Sequence, residues 1–148
     1  LKLKNSIFVH RDFHVSNLMK VNKNIGVIDA QDALYGNMAY DLASLIDDVR
    51  IKTTNKLKEK IFLEFIRCNK KVDKNKLKND FEILSVLRNL KIIGIFTRLS
   101  IRDKKHNYLK LIPHAWKLIE YRINKNHKFK ELRSVLDKYF PKKIRKLK

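Results

Sequence analysis

The sequence predicts an α+β fold, mostly α: a small β-hairpin region packed on a bundle of about five helices. Three observations lead there. Residues 7–36 hold short apolar runs broken by polar turns, the pattern of brief strands and loops. From residue 39 onward apolar residues recur at three- and four-residue spacing, the helical period. Hydrophobic residues make up 44% of the 148, which excludes a disordered chain. At this length about two thirds of the unfolded surface is removed from water.

Ile7-Phe8-Val9 reads as a strand entering a loop. Leu18 to Val21 and Ile25 to Ile28 read as two more, joined by Asn22-Lys23-Asn24 as a hairpin. That hairpin would hold Asn17 and Asp29 at neighbouring strand ends. Ala33 to Asn37 is expected as a turn marked by Gly36, with Asn37 as a helix N-cap. The first helix is expected over about Ala39 to Ile51, with Leu42, Leu45, Ile46 and Val49 inward. The second covers Lys56 to Cys68, with Leu57, Ile61, Phe62, Phe65 and Ile66 inward. The longest, about Asn75 to Ile101, carries the stripe Leu77, Phe81, Leu84, Leu87, Leu90 and Ile93 and reads as the central helix. Tyr108 to Ile123 is a fourth, with Pro113 inside it or marking its true first turn. Lys128 to Tyr139 is a fifth, using Phe129, Leu132, Val135, Leu136 and Tyr139. Pro141 ends it, and the tail KKIRKLK is expected to fray. Residues 1–140 thus form one lobe and 141–148 a basic tail.

The net charge is +20. A basic nucleic-acid-binding helical domain would explain it, yet no reading motif accompanies the charge, and the lysines form no single block. Lysine-rich outer faces of helices need no partner. Neither nucleic acid nor membrane is therefore expected as a partner. No apolar run approaches the roughly 20 residues that span a bilayer. Cys68 stands alone, so there is no internal disulfide framework, no signal-peptide pattern is visible, and a cytoplasmic setting is expected.

The chemistry lies in Ile7 to Asp32, IFVHRDFHVSNLMKVNKNIGVIDAQD. His10-Arg11-Asp12, then Asn17, then Asp29 after an apolar strand is the arrangement of kinase-like phosphoryl-transfer enzymes. Asp12 is placed to accept a hydroxyl proton, an assistance worth about 10²–10⁴ in rate. Asn17 offers a neutral amide oxygen and Asp29 a charged one, hard ligands suited to Mg²⁺. Taken singly, an Asp or Asn at such positions is a turn cap; the combined spacing is what points to a site. His10 reads as a buried, hydrogen-bonded residue that shapes the loop, and Arg11 as structural. Asp32 reads as a turn cap within reach of the magnesium shell.

The stretch resembles the catalytic core of the aminoglycoside phosphotransferase and choline kinase superfamily, relatives of the protein kinases. His14 stands where protein kinases have Lys and small-molecule kinases have His, in H-G-D-x-H-x-x-N; Arg11 departs from the Gly of that pattern. HRDFHVSNLM, IGVIDAQDALYG, YDLASLIDD and IIGIFTRLSIRDKKHNYLKLIP look most like the bacterial kinases of the anomeric hydroxyl of N-acetylmuramate and N-acetylglucosamine. The resemblance covers about Phe8 to Pro113. It implies a protein-kinase-like C-lobe, Asp12 as catalytic base, Asn17 and Asp29 as Mg²⁺ ligands, ATP or GTP as phosphoryl donor, and a small-molecule sugar as acceptor in cell-wall recycling. An aminoglycoside- or choline-type alcohol is the alternative acceptor. Asp41 in YDLAS matches an aspartate that braces the catalytic loop through backbone amides; read alone, it is a helix-start acid. Ala30 replaces the usual Phe after the metal aspartate, which removes an aromatic anchor but no ligand, and a looser metal loop is expected.

For the substrate, Asp47 and Asp48 are candidates to meet sugar hydroxyls. Arg98 and Arg102, one helical turn apart, suit a sugar carboxylate or else form a solvated basic face. Tyr108 and Trp116 are expected in the core rather than as stacking platforms. The chain starts at Leu1, with the catalytic loop at its beginning. The expectation is a C-terminal lobe without the nucleotide-binding lobe, inactive by itself and monomeric when complete.

Overall fold

The structure, a computed structural model, describes residues 3–146. They form two compact units, Leu1–Ser85 and Val86–Lys148, whose boundary falls inside one long helix. The first unit contains β1 (Ile7–Val9), a 3-10 turn (Val15–Asn17), β2 (Leu18–Val21), β3 (Asn24–Val27), β4 (Leu34–Gly36), α1 (Ala39–Ile46), α2 (Asn55–Cys68) and the first part of α3 (Lys74–Asp103). The second contains the rest of α3, a 3-10 segment (His106–Leu111), α4 (Ile112–Lys125), a 3-10 turn (His127–Phe129), α5 (Lys130–Tyr139) and α6 (Lys142–Arg145). The architecture is α+β and mostly α, consistent with a kinase-like C-lobe, with six α-helices among the described residues.

β2 and β3 form the expected antiparallel hairpin, paired from Leu18↔Val27 to Val21↔Asn24. Its link is two residues, Asn22 and Lys23. Asn22 takes φ 54°, a left-handed conformation that Asn tolerates because its short side chain bonds locally. The segment expected as a turn at Ala33–Asn37 is different: Leu34–Gly36 is β4, antiparallel to β1 in the register Ile7↔Gly36, Phe8↔Tyr35, Val9↔Leu34. Its three residues are too few to show a period of their own, and the partner strand lies far away in sequence. Gly36 is needed for close approach: a Cβ there would sit 2.5 Å from Val9 Cγ2.

α1 stops at Ile46, short of the expected Ile51. Asp47 leaves helical geometry, and the hydroxyl of Thr53 donates to the Ile46 carbonyl at 3.2 Å. Asn37 does act at the start of α1, accepting from the Ala39 amide through Oδ1 at 2.9 Å. Its Nδ2 donates to Asp80 Oδ2 and to the Lys4 carbonyl, both at 2.9 Å. Ala39, Leu42, Ala43 and Ile46 of α1 meet Leu77, Phe81 and Leu84 of α3 in the core of this unit. Ile61, Phe62, Phe65 and Ile66 of α2 pack against it, with the Phe62 and Phe81 rings 5.2 Å apart. Leu57, expected inward, is exposed; the buried residue of α2 is Lys58, whose Nζ donates to Asp47 Oδ1 at 2.6 Å. On α3, Leu87 is also exposed while Arg88 and Asn89 are buried. The buried row of α3 runs through Phe81, Leu84, Arg88, Ile92 and Phe96 at helical spacing, and Leu87 falls beside it.

In the second unit the fourth helix starts later than Tyr108, at Ile112, with Pro113 in its first turn, where a missing N–H costs nothing. Ile112, Ala115, Trp116, Leu118, Ile119 and Ile123 of α4 are buried. Of the positions expected inward on the fifth helix, Val135 and Tyr139 are exposed and Phe129 and Leu136 are buried. The tail is not frayed over 142–145. Arg145 is buried there, donating to Glu120 Oε1 at 2.8 Å, Asp137 Oδ1 at 2.7 Å and the Phe140 carbonyl at 2.6 Å. Its guanidinium lies 4.9 Å from the Trp116 ring centroid. Leu147 and Lys148, the end of the tail, lie outside the described residues.

Two measurements check this packing. Gly36→Ala should destabilise by about 1–3 kcal/mol in urea unfolding, because Val9 must move. Removal of residues 141–148 should lower Tm by on the order of 5 °C. The hydrogen bond from Arg145 holds the Asp137 carboxyl below its ordinary 3.8. A depressed carboxyl stabilises above its ordinary value and loses that contribution as pH falls below it. The gap in Tm between intact and shortened chains should therefore narrow when melts are run below about pH 3.8.

Candidate active site

Asp12 sits in the loop after β1. Its carboxylate is half-buried and has no hydrogen-bond partner among the described residues. The loop itself is tightly held. The Asp12 carbonyl accepts from the His14 amide at 2.9 Å and from Asn17 Nδ2 at 3.0 Å. The Asn17 amide donates to the His14 carbonyl at 2.9 Å, closing the 3-10 turn that presents Asn17. Asp41, in the first turn of α1, receives the His10 amide on Oδ2 at 2.7 Å and the Arg11 amide on Oδ1 at 3.0 Å. It therefore holds the loop from outside and is no cap of its own helix. His10 is buried, and its Nε2 pairs with the Ile28 carbonyl at 3.0 Å, tying the loop to the residue before Asp29.

Arg11 takes φ 71°. A left-handed residue with a Cβ costs roughly 1–2 kcal/mol. The Gly of the related pattern removes that strain; here the two Asp41 bonds impose the conformation. Arg11 Nη1 also reaches the Asp32 carbonyl at 3.3 Å. Asp29 is likewise left-handed, at φ 72°.

The hairpin brings Asn17 and Asp29 together. The Ile28 amide donates to the Asn17 carbonyl at 3.1 Å, and Asn17 Nδ2 lies 3.5 Å from Asp29 Oδ2. Nδ2 is thus turned toward Asp12 and Asp29, which leaves Oδ1 as the outward donor atom beside the exposed Asp29 carboxylate. Among the described residues no cluster of three or more His, Cys, Asp or Glu could hold a metal. One amide oxygen and one carboxylate nevertheless fit Mg²⁺, which takes one or two protein ligands and fills its octahedron with water and phosphate oxygens.

Of the substrate candidates, Asp47 and Asp48 are placed differently from expectation. The Asp48 side chain is fully buried. Its Oδ2 accepts from the Val15 amide at 3.1 Å and its Oδ1 from the Arg50 amide and Nη1 at 3.0 and 3.2 Å. Asp47 is equally enclosed, against Lys58 and Ser85 Oγ, the latter at 2.5 Å. Buried carboxylates take internal donors because unpaired burial of charge is costly, so neither faces open space for a sugar hydroxyl. In the second unit, Arg98 and Arg102 are exposed on α3, and Arg102 already gives Nε and Nη2 to Asp103 at 2.6 and 3.0 Å. That pairing raises the pKa of Arg102 and lowers that of Asp103. Trp116 is buried in the core, and Tyr108 is half-buried, packed on Phe96 with ring centroids 5.0 Å apart. A cavity of about 600 Å³ in the first unit is lined by Phe13, Leu42, Leu45, Leu57, Ile61 and Phe65, among others; Asp12, Asn17 and Asp29 do not line it.

The buried bonds of Asp47, Asp48 and Asp80 escaped the sequence reading. The available signal was the charge itself: carboxylates set among apolar residues at helix ends and faces call for buried donors.

A half-buried carboxylate at Asp12, the oriented amide of Asn17 and the strand-end carboxylate of Asp29 are thus held by backbone hydrogen bonds in the first unit. Residues 1–65 match the model of the phosphotransferase enzyme family. The chain is similar to the N-acetylmuramate/N-acetylglucosamine kinase of Neisseria meningitidis serogroup B, with 37% identity over 113 residues, 72% of this chain and 34% of that protein. The proteins of that name from Pseudomonas aeruginosa and Caulobacter vibrioides are 32% and 29% identical over 88% and 95% of this chain. The chain spans 40% of the length of each of those two.

The Arg11 backbone gives a direct check. Arg11→Gly should leave unfolding free energy unchanged or raise it by up to about 1 kcal/mol, since relief of strain offsets the freer unfolded chain. Arg11→Val, β-branched at a left-handed position, should lose roughly 1–2 kcal/mol. Chemical denaturation of the two variants side by side reads the difference.

Proposed function

We propose that these residues form the catalytic and substrate lobe of an ATP- or GTP-dependent, Mg²⁺-requiring kinase of a small-molecule hydroxyl. The acceptor we infer is the anomeric hydroxyl of an amino sugar, N-acetylmuramate or N-acetylglucosamine, in cell-wall recycling. The observation that carries this reading is the free Asp12 carboxylate on a loop whose carbonyl is hydrogen-bonded to the Asn17 side chain, which in turn reaches Asp29. The name shared by these relatives, N-acetylmuramate/N-acetylglucosamine kinase, supports the sugar. The exposed, unpaired Cys68 fits a reducing cytoplasm.

In this reading Asp12 accepts the proton of the attacking hydroxyl and orients its oxygen toward the phosphorus. Asn17 Oδ1 and Asp29 hold Mg²⁺, whose charge offsets that of the phosphates when it is bound. Asp41 contributes by keeping the backbone on the N-terminal side of Asp12 from moving, so the carboxylate reaches the hydroxyl without reorganisation.

Asp12→Asn should lower kcat by about 10²–10⁴ in the full-length protein, with KM for the sugar changed far less. Coupled measurement of nucleotide consumption with N-acetylmuramate and Mg²⁺ reads both constants; a variant with near-wild-type kcat removes Asp12 from the role of base.

A further inference from the structure

We propose that Asp48 is a positioning residue: its buried carboxylate holds the Val15 amide and so fixes the turn that carries Asn17 at its distance from Asp12. The proposal rests on the roles given above to Asp12, Asn17 and Asp29.

Asp48 follows the C-terminal end of α1, where the helix dipole disfavours a negative charge, and its side chain is fully buried. Such a carboxylate persists only with strong donors. Arg50 supplies two, and the third is the catalytic loop itself, through the Val15 amide at 3.1 Å. The backbone that presents Asp48 is anchored in turn. Its neighbour Asp47 is tied to α2 through Lys58 Nζ at 2.6 Å and to α3 through Ser85 Oγ at 2.5 Å.

Val15 opens the 3-10 turn that ends at Asn17. From it a short chain of bonds leads to both reactive positions. The His14 carbonyl accepts from the Asn17 amide, and the Asp12 carbonyl accepts from the His14 amide and from Asn17 Nδ2. Asp41 grips the loop before Asp12, at the His10 and Arg11 amides. Asp48 grips it after Asp12. A loop held at one end can pivot; held on both sides of Asp12, it has one setting. Asp48 does this from within the protein, and its own carboxylate is closed off from solvent.

The test uses the ¹⁵N-labelled 148-residue chain with Asp48→Ala and Asp48→Asn. In Asp48→Ala, exchange of the Val15 amide should speed up roughly tenfold or more. The Asn17 side-chain resonances should shift, while exchange at His10 and Arg11, held by Asp41, stays as in the unaltered chain. Asp48→Asn, whose amide oxygen still accepts from Val15, should stay close to the unaltered chain. Titration with Mn²⁺ should broaden Asn17 and Asp29, at roughly tenfold higher concentration in Asp48→Ala. Unchanged Val15 exchange in Asp48→Ala overturns the proposal, as does faster exchange with an unaltered Mn²⁺ titration. Should Mn²⁺ fail to broaden either residue in the unaltered chain, the metal reading of Asn17 and Asp29 falls; the exchange of Val15 and the Asn17 resonances then decide on Asp48 alone. If Asp48→Ala does not fold, Asp48→Ser, shorter and still polar, carries the same readouts.

Discussion

Two consecutive backbone amides share one carboxylate, and the form of the loop that carries Asp12 depends on it. Asp41 accepts from His10 and Arg11. To aim both N–H groups at one side chain, the backbone must turn sharply, and Arg11 enters the left-handed region to do so. The Asp12 carboxylate itself has no hydrogen-bond partner among the described residues. Asp41 itself is set by the start of α1, where Asn37 bonds Ala39, Lys4 and Asp80. The strain at Arg11 is thus maintained by a network that reaches α3, which is how a local conformation of this kind persists.

The polar groups of the first unit divide by whether they are satisfied internally. Asp47, Lys58, Ser85 and Asp48 are buried and bonded to one another or to backbone. Such pairs add little net stability over apolar packing of the same volume, but losing one partner leaves a buried charge and is strongly unfavourable. They tie the end of α1 to α2 through Lys58 and to α3 through Ser85. Asp12 and Asp29 are the opposite case, more exposed and with little internal bonding. The groups proposed to act in phosphoryl transfer are thereby separated from those that hold the scaffold.

Much of this was legible from the residues. The hairpin follows from two apolar runs around an Asn-rich link, and its consequence, Asn17 next to Asp29, follows from pairing. Helix positions follow from periodicity, except at their ends, where α1 yields to the buried bonds of Asp47 and Asp48 and where α4 waits for Pro113. β4 was not legible, since three residues carry no period and its partner β1 is remote. Nor was the buried tail: a basic segment after a proline looks solvated unless Glu120 and Asp137 are known to face Arg145.

What the sequence by itself determined is local or depends on spacing: the α+β class, the helical segments, and the identity of Asp12, Asn17 and Asp29 as one constellation. What only the tertiary structure decided is which polar residues turn inward and whom they meet. Lys58 rather than Leu57 is buried, Arg88 rather than Leu87, and Asp48 accepts from the Val15 amide of the Asp12 loop instead of facing open space. The physical reason is that periodicity records the average environment of a helix face. The fate of a single charge depends on whether a donor or acceptor from a distant segment arrives within about 3 Å of it.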